Sequence, residues 1–103
     1  MIELITEKRD RIAEHCRRLN VRRLDVFGSA ANGSFDEEKS DIDFLVEFGK
    51  HEHFDLLTRY LDLAESLEMV FDKKVDLVMA DGLVKNPRFR ANVEAEKEAV
   101  YAV

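Results

Sequence analysis

Several things are scarce in this sequence, and each scarcity excludes something. Cys16 is the only cysteine, so no intrachain disulfide can form. No apolar run approaches the roughly 20 residues that a membrane-crossing helix needs. No leader-like segment opens the chain, so the expectation is a cytoplasmic protein with no membrane partner. Proline occurs once, at Pro87, and glycine four times, which leaves no linker-like, low-complexity or repeated stretch. Cations are the scarcer charge: 16 Lys and Arg stand against 22 Asp and Glu, a net charge of -6. Nonspecific affinity for DNA or RNA comes from cationic neutralisation of phosphates. The balance therefore argues against direct nucleic-acid binding, but not against phosphate ligands whose charge is met by metal ions.

What is present suits one domain over residues 1–103, with 46% hydrophobic and 37% charged residues, a modest core under a charged surface. Ile5, Ile12, Cys16 and Leu19 fall on one side of a helix over 2–19, with Asn20 as its stop. Residues 22–28, rich in β-formers, predict a strand ending at Gly28. Residues 30–39 are small, polar and acidic, a loop with a short helical turn after Ser29. Residues 41–48 predict a second strand, whose middle, Phe44-Leu45-Val46, is apolar on both faces, as in a strand covered on both sides. Phe54, Leu57, Tyr60, Leu61, Ala64, Leu67 and Met69 space out a long amphipathic helix over 52–71. A third strand over 73–80, a turn at Asp81-Gly82 and a last helix over 87–101 beginning at Pro87 complete the pattern. The fold class is α/β (α+β): a small mixed sheet flanked by helices.

Chemistry is concentrated at three places. Asp41 and Asp43 open the second strand, and alternation aims both to one side while Ile42 points to the core. Two carboxylates that close repel each other, and a divalent cation between them removes the conflict; hard oxygen ligands suit Mg²⁺ or Mn²⁺. An isolated Asp-x-Asp more often reads as two solvated strand-end residues. Gly28-Ser29 permits a tight turn and a close approach, and a helical turn after it aims N–H groups at an anion. Asp76 interrupts the apolar "VDLV", where aspartate is disfavoured. Either it sits on a solvated face beside Lys73 or Lys74, or it joins Asp41 and Asp43 across neighbouring strands.

Taken together, Gly28-Ser29, eleven intervening residues, Asp41-x-Asp43 before an apolar strand, and Asp76 in a later strand resemble the nucleotidyltransferase superfamily related to DNA polymerase β. Within it, the chain is similar to the minimal nucleotidyltransferases (MNT proteins), the MntA-like antitoxins of HEPN–MNT toxin–antitoxin pairs. The resemblance covers essentially the whole chain. It implies that Asp41 and Asp43 bridge two Mg²⁺ ions, replaceable by Mn²⁺, that Asp76 completes the catalytic metal site, and that Gly28 and Ser29 hold the triphosphate of ATP. It also implies transfer of AMP to a tyrosine of a partner HEPN ribonuclease. Two other activities fit the same residues: neutralisation of the partner by binding alone, or nucleotidyl transfer to a small molecule. The family pattern carries arginines after Gly-Ser, where this chain has Ala30, Ala31, Asn32 and Gly33; two cations able to contact a triphosphate are missing.

Lesser motifs read as structure. His51-Glu52-His53 fits a solvated helix start better than a metal site. His15 and Cys16, adjacent on a helix, point about 100° apart. The basic run Arg17, Arg18, Arg22, Arg23 reads as a solvated helix end, or as a dock for an acidic partner or RNA. Leu56, Tyr60, Leu63 and Leu67 are expected to pack on the sheet. The further apolar positions of that helix, with Phe89, Val93, Val100 and Tyr101, suggest a homo-oligomer or hetero-complex.

Overall fold

The alternation along residues 42–48 decides the architecture. In the computed structural model, which describes residues 2–36, 38, 40–50, 55–80 and 87–103, this segment is the strand β2 (Ile42–Phe48). Its Ile42, Phe44 and Val46 enter one core and Leu45 another, so both of its faces are covered. The element order is α1 (Glu3–Glu7), α2 (Arg9–Arg18), β1 (Val21–Phe27), α3 (Ser29–Asn32), β2, α4 (Leu56–Phe71), β3 (Val75–Met79), α5 (Pro87–Glu96) and β4 (Glu98–Ala102). The sheet runs β3-β2-β1-β4. β1 is antiparallel to β2 and β4, and β2 is parallel to β3, a mixed sheet flanked by helices as expected. Among the described residues no helix is long and apolar enough to cross a membrane.

The larger core lies on the face covered by α2 and α4. Ile12, Leu24, Phe44, Leu63 and Leu67 are fully buried there, and Phe44 stacks on Phe71 with ring centroids 6.0 Å apart. On the other face Val93 of α5 is buried against Phe27 and Leu45, and Phe89 meets Phe27 edge-on at 6.0 Å. Phe89 and Val93, expected to favour an interface with another chain, thus pack on their own sheet.

Helix ends follow local chemistry. Asp55 caps α4 by accepting the Thr58 N–H at 2.7 Å, which satisfies a first-turn donor. Asn20 ends α2 in the left-handed region, φ 53, its side chain bonded to the Lys50 carbonyl, so its reading as a stop holds. Arg59, buried in α4, donates from Nη1 to the carbonyls of Leu19 at 3.2 Å and Gly49 at 2.8 Å and lies 4.9 Å over the Phe48 ring.

Three expectations need correction. The last helix does not run to 101: α5 ends at Glu96 and residues 98–102 form β4. "EAVYA" gains more by pairing with β1 and burying Val100 in the main core than by extending a helix whose apolar side is already used. Local propensity yields to tertiary pairing. The first helix is two, broken at Lys8 (φ -100, ψ 6), with the start of the chain tied down by the Ile2 N–H on the Ala30 carbonyl at 3.1 Å. In α4, Leu63 and Leu67 pack on the sheet as expected, but Leu56 is 45% exposed; the helix turns it outward with Leu57, Leu61 and Met69. The Asp81-Gly82 turn and His51-Glu52-His53 lie outside the described residues.

Candidate active site

Strand register assembles the site. Phe27 of β1 stands opposite Asp43 of β2, and Asp43 stands opposite Asp76 of β3, so the three occupy one row across the sheet. Ile42 and Val75 turn into the main core, which by alternation puts Asp43 and Asp76 on the face covered by α5. Asp41 lies just before β2, two residues from Asp43.

The two paired carboxylates come within hydrogen-bonding reach of each other, and the Asp43 carboxyl is pushed up to about 6. Burial is the largest cause, followed by the Asp76 charge, the hydrogen bond with Asp76, and the Asp41 charge. Like charges held this close, in a half-buried place, make the ionised form costly.

Gly28 explains how the turn comes so close. It adopts φ 69 and ψ -147, a backbone state that glycine reaches without strain. A Cβ there would lie 2.5 Å from the Asp43 Oδ2 atom. The turn therefore runs against the carboxylate, and α3 begins immediately, as the short helical turn after Ser29 predicted. Its opening N–H groups, at Ser29 and Ala30, have no intrahelical acceptor by geometry. The row continues into a cleft of about 460 Å³ lined by Phe27, Asp43, Tyr60, Ala64, Val75, Asp76, Leu77, Val78 and Phe89. Tyr60 holds its hydroxyl on the Leu77 carbonyl at 2.6 Å.

The donor set fits a hard divalent cation in part. Asp43 and Asp76 offer carboxylate oxygens to one point, the ligand type Mg²⁺ and Mn²⁺ take. Among the described residues, however, no three His, Cys, Asp or Glu side chains stand close enough to hold a metal ion. Asp41 acts on Asp43 through its charge rather than as a third ligand in place. The expected trio is thus a pair with a near neighbour.

Sequence reasoning missed the apolar wall of this site, Phe27, Phe89 and Val93, because helical spacing does not say which face of a sheet a helix covers. It also missed Asp25, 2% exposed on β1, which accepts from the Arg23 Nε at 2.9 and 3.0 Å. A carboxylate amid "RRLDVF" was the available signal. The basic run is mostly committed: Arg18 grips Asp62 with two 2.9 Å bonds, Arg23 holds Asp25, and Arg22 stands 3.9 Å from Glu47. These pairings commit much of the run's charge within the chain. His15 contacts Arg18 and Cys16 is fully buried, so they form no catalytic pair.

A parallel pair of strands that presents opposed aspartates beside a glycine turn is an arrangement suited to phosphoryl chemistry, and known proteins agree. The chain belongs to the nucleotidyltransferase domain family, which matches residues 9–101. A Methanocaldococcus jannaschii protein provisionally named a protein adenylyltransferase is 35% identical over 92% of this chain and 96% of its own. The protein adenylyltransferase MntA of Thermococcus cleftensis is 41% identical over 64% of this chain and 63% of its own. Among solved structures, a protein provisionally classed as a minimal nucleotidyltransferase aligns with TM-score 0.74 and 34% identity, over 94% of this chain and 95% of that one. A complex of a tri-AMPylated Shewanella oneidensis HEPN toxin with an MNT antitoxin aligns with TM-score 0.65 over 96% and 73% of the two chains; at 19% identity it shares the fold.

Proposed function

We propose that the chain is a single minimal nucleotidyltransferase domain that transfers AMP from ATP to a tyrosine of a partner HEPN ribonuclease, and so acts as an antitoxin. The observation that carries this reading is the Asp43–Asp76 pair, opposed on adjacent parallel strands and held against the turn at Gly28. Support for the acceptor comes from the relatives: two are named protein adenylyltransferases, and a chain of a complex between a tri-AMPylated HEPN toxin and an MNT antitoxin shares the fold.

Asp43 and Asp76, with Asp41 beside them, would hold Mg²⁺ or Mn²⁺. When bound, the metal supplies charge stabilisation at the phosphates and lowers the pKa of the attacking hydroxyl. The chain's residues do the rest. Gly28, with no side chain, lets the triphosphate approach the carboxylates, and Ser29 with the first α3 N–H groups donates to its oxygens. The acceptor's phenol oxygen attacks the α-phosphorus, the bond to the bridging oxygen of the β-phosphate breaks, and pyrophosphate leaves. Asp76, the exposed member of the pair, receives the phenol proton. Phe27 and Phe89 shield one side of the site from water.

Incubation with α-labelled ATP, Mg²⁺ and a candidate HEPN partner protein tests the reading. Label is expected on a tyrosine of the partner and is expected to vanish in Asp43→Asn. One observation favours neutralisation by binding alone, the lack of any cation from Ala30 to Gly33. Neutralisation that persists in Asp43→Asn, with no label on the partner in the wild type, would establish that second reading.

A further inference from the structure

The turn that passes the carboxylate pair carries no cation: residues 28–34 read Gly, Ser, Ala, Ala, Asn, Gly, Ser. A nucleoside triphosphate set against Asp41, Asp43 and Asp76 enters a strongly negative field, and bound divalent ions offset only part of it. Phosphate oxygens are held best by charged donors. Arg18 and Arg23 serve Asp62 and Asp25.

The sheet brings a different cation to the site. Ile42 is paired with Val75 and Asp43 with Asp76, and the Ile42 N–H donates to the Lys74 carbonyl at 3.3 Å. The same register carried back one residue sets Lys74 opposite Asp41. Val75 is turned into the main core, so alternation assigns Lys74 to the side of Asp76. Lys74 is exposed, while its neighbour Lys73 holds its ammonium 5.6 Å over the Phe35 ring. A lysine offers three donors on a flexible stem long enough to reach past a strand end.

We propose that Lys74 is the phosphate-contacting residue of this site, a specificity-determining cation that binds the terminal phosphates of a nucleoside triphosphate in place of the charge that residues 30–33 do not supply. The inference rests on the nucleotidyl-transfer reading and adds the residue that selects for a triphosphate.

Equilibrium binding tests it without requiring turnover. Calorimetric titration of ATP in Mg²⁺ compares wild type with Lys74→Ala, Lys74→Arg and Lys73→Ala, and a parallel titration follows Mn²⁺ without nucleotide. Lys74→Ala is expected to weaken ATP binding about tenfold and to leave Mn²⁺ binding unchanged or tighter, because one local positive charge is gone. Lys74→Arg recovers most of the ATP affinity, and Lys73→Ala weakens it less than Lys74→Ala does. Lys74→Gln, which keeps most of the stem, replaces the alanine variant if that one melts early. Unchanged ATP affinity in Lys74→Ala overturns the proposal, as does a parallel loss of ATP and Mn²⁺, which would mark a structural role. Failure of the transfer reading looks different: ATP binding depends on Lys74, yet no label reaches the partner.

Discussion

Asp43 carries a conflict that the fold holds in place. Its pKa of about 6 lies above the ordinary 3.8, so the folded chain keeps this proton where the unfolded chain releases it. The stabilisation is full below about 3.8 and is lost as pH rises through about 6. At neutral pH and without metal, Asp43 therefore opposes folding. Asp43→Asn is expected to melt higher than wild type at pH 7.5, with an advantage that shrinks as pH falls through about 6 and is gone only near pH 4. Differential scanning calorimetry of both proteins checks this; the difference between them cancels His15, whose pKa is lowered by burial and by Arg18 and which slopes the other way. A pH-independent difference would mean that the carboxylate is not strained. Manganese should raise the wild-type melting temperature at pH 7.5, and much less at pH 5, where protons compete for the same oxygens. Gly28 gives the companion prediction. Gly28→Ala meets both an unfavourable φ and the Asp43 oxygen, and the expected cost is about 1–3 kcal/mol together with loss of Mn²⁺ binding, read by denaturant melts and titration. Gly33, also at positive φ but with nothing within 4 Å of its would-be Cβ, should lose stability and keep the metal.

At the scale of elements, α5 and β4 set the shape of the site. α5 presses Val93 against Phe27 and Leu45 and so roofs the face that holds the carboxylates. Val93→Ala removes buried methyl groups and is expected to cost about 2 kcal/mol; urea melts measure it, and nucleotide affinity should fall with the packing of Phe89 on Phe27. β4 is where local pattern misled. "EAVYA" after a helix continues an apparently helical run, and only the unpaired edge of β1 makes a strand better. Amide exchange should show the 98–102 ladder protected with β1, whereas exchange typical of a frayed helix end would contradict the pairing. The central strands were legible because β-formers lead up to Gly28 in β1 and the apolar Phe44-Leu45-Val46 follows Asp41-x-Asp43 in β2. Those runs keep their character whatever packs on them.

For the whole molecule, Arg59 joins three elements at the far end of β2 from the carboxylates: α4 carries it, and it bonds the carbonyls closing α2 and β2. Being 5% exposed, it leaves the buried Leu19 carbonyl and the part-buried Gly49 carbonyl without this donor when truncated. Arg59→Ala is expected to cost about 3 kcal/mol, and Arg59→Met less, because the stem that packs on Phe48 remains. Thermal melts of the two variants order them. Nothing in the periodicity of α4 marked Arg59 as buried, since arginine on an amphipathic helix ordinarily snorkels to solvent.

The sequence by itself determined β1, β2 and β3, the glycine turn, and which carboxylates stand beside it, because these depend on side-chain chemistry and on spacings along one chain. Tertiary structure decided what meets what. Parallel pairing of β2 with β3 set Asp43 against Asp76, packing drew α5 onto that face, and the free edge of β1 took residues 98–102 out of the helix. Register and face are relations between segments far apart in the chain, fixed by the burial they allow jointly, and no local pattern carries that information.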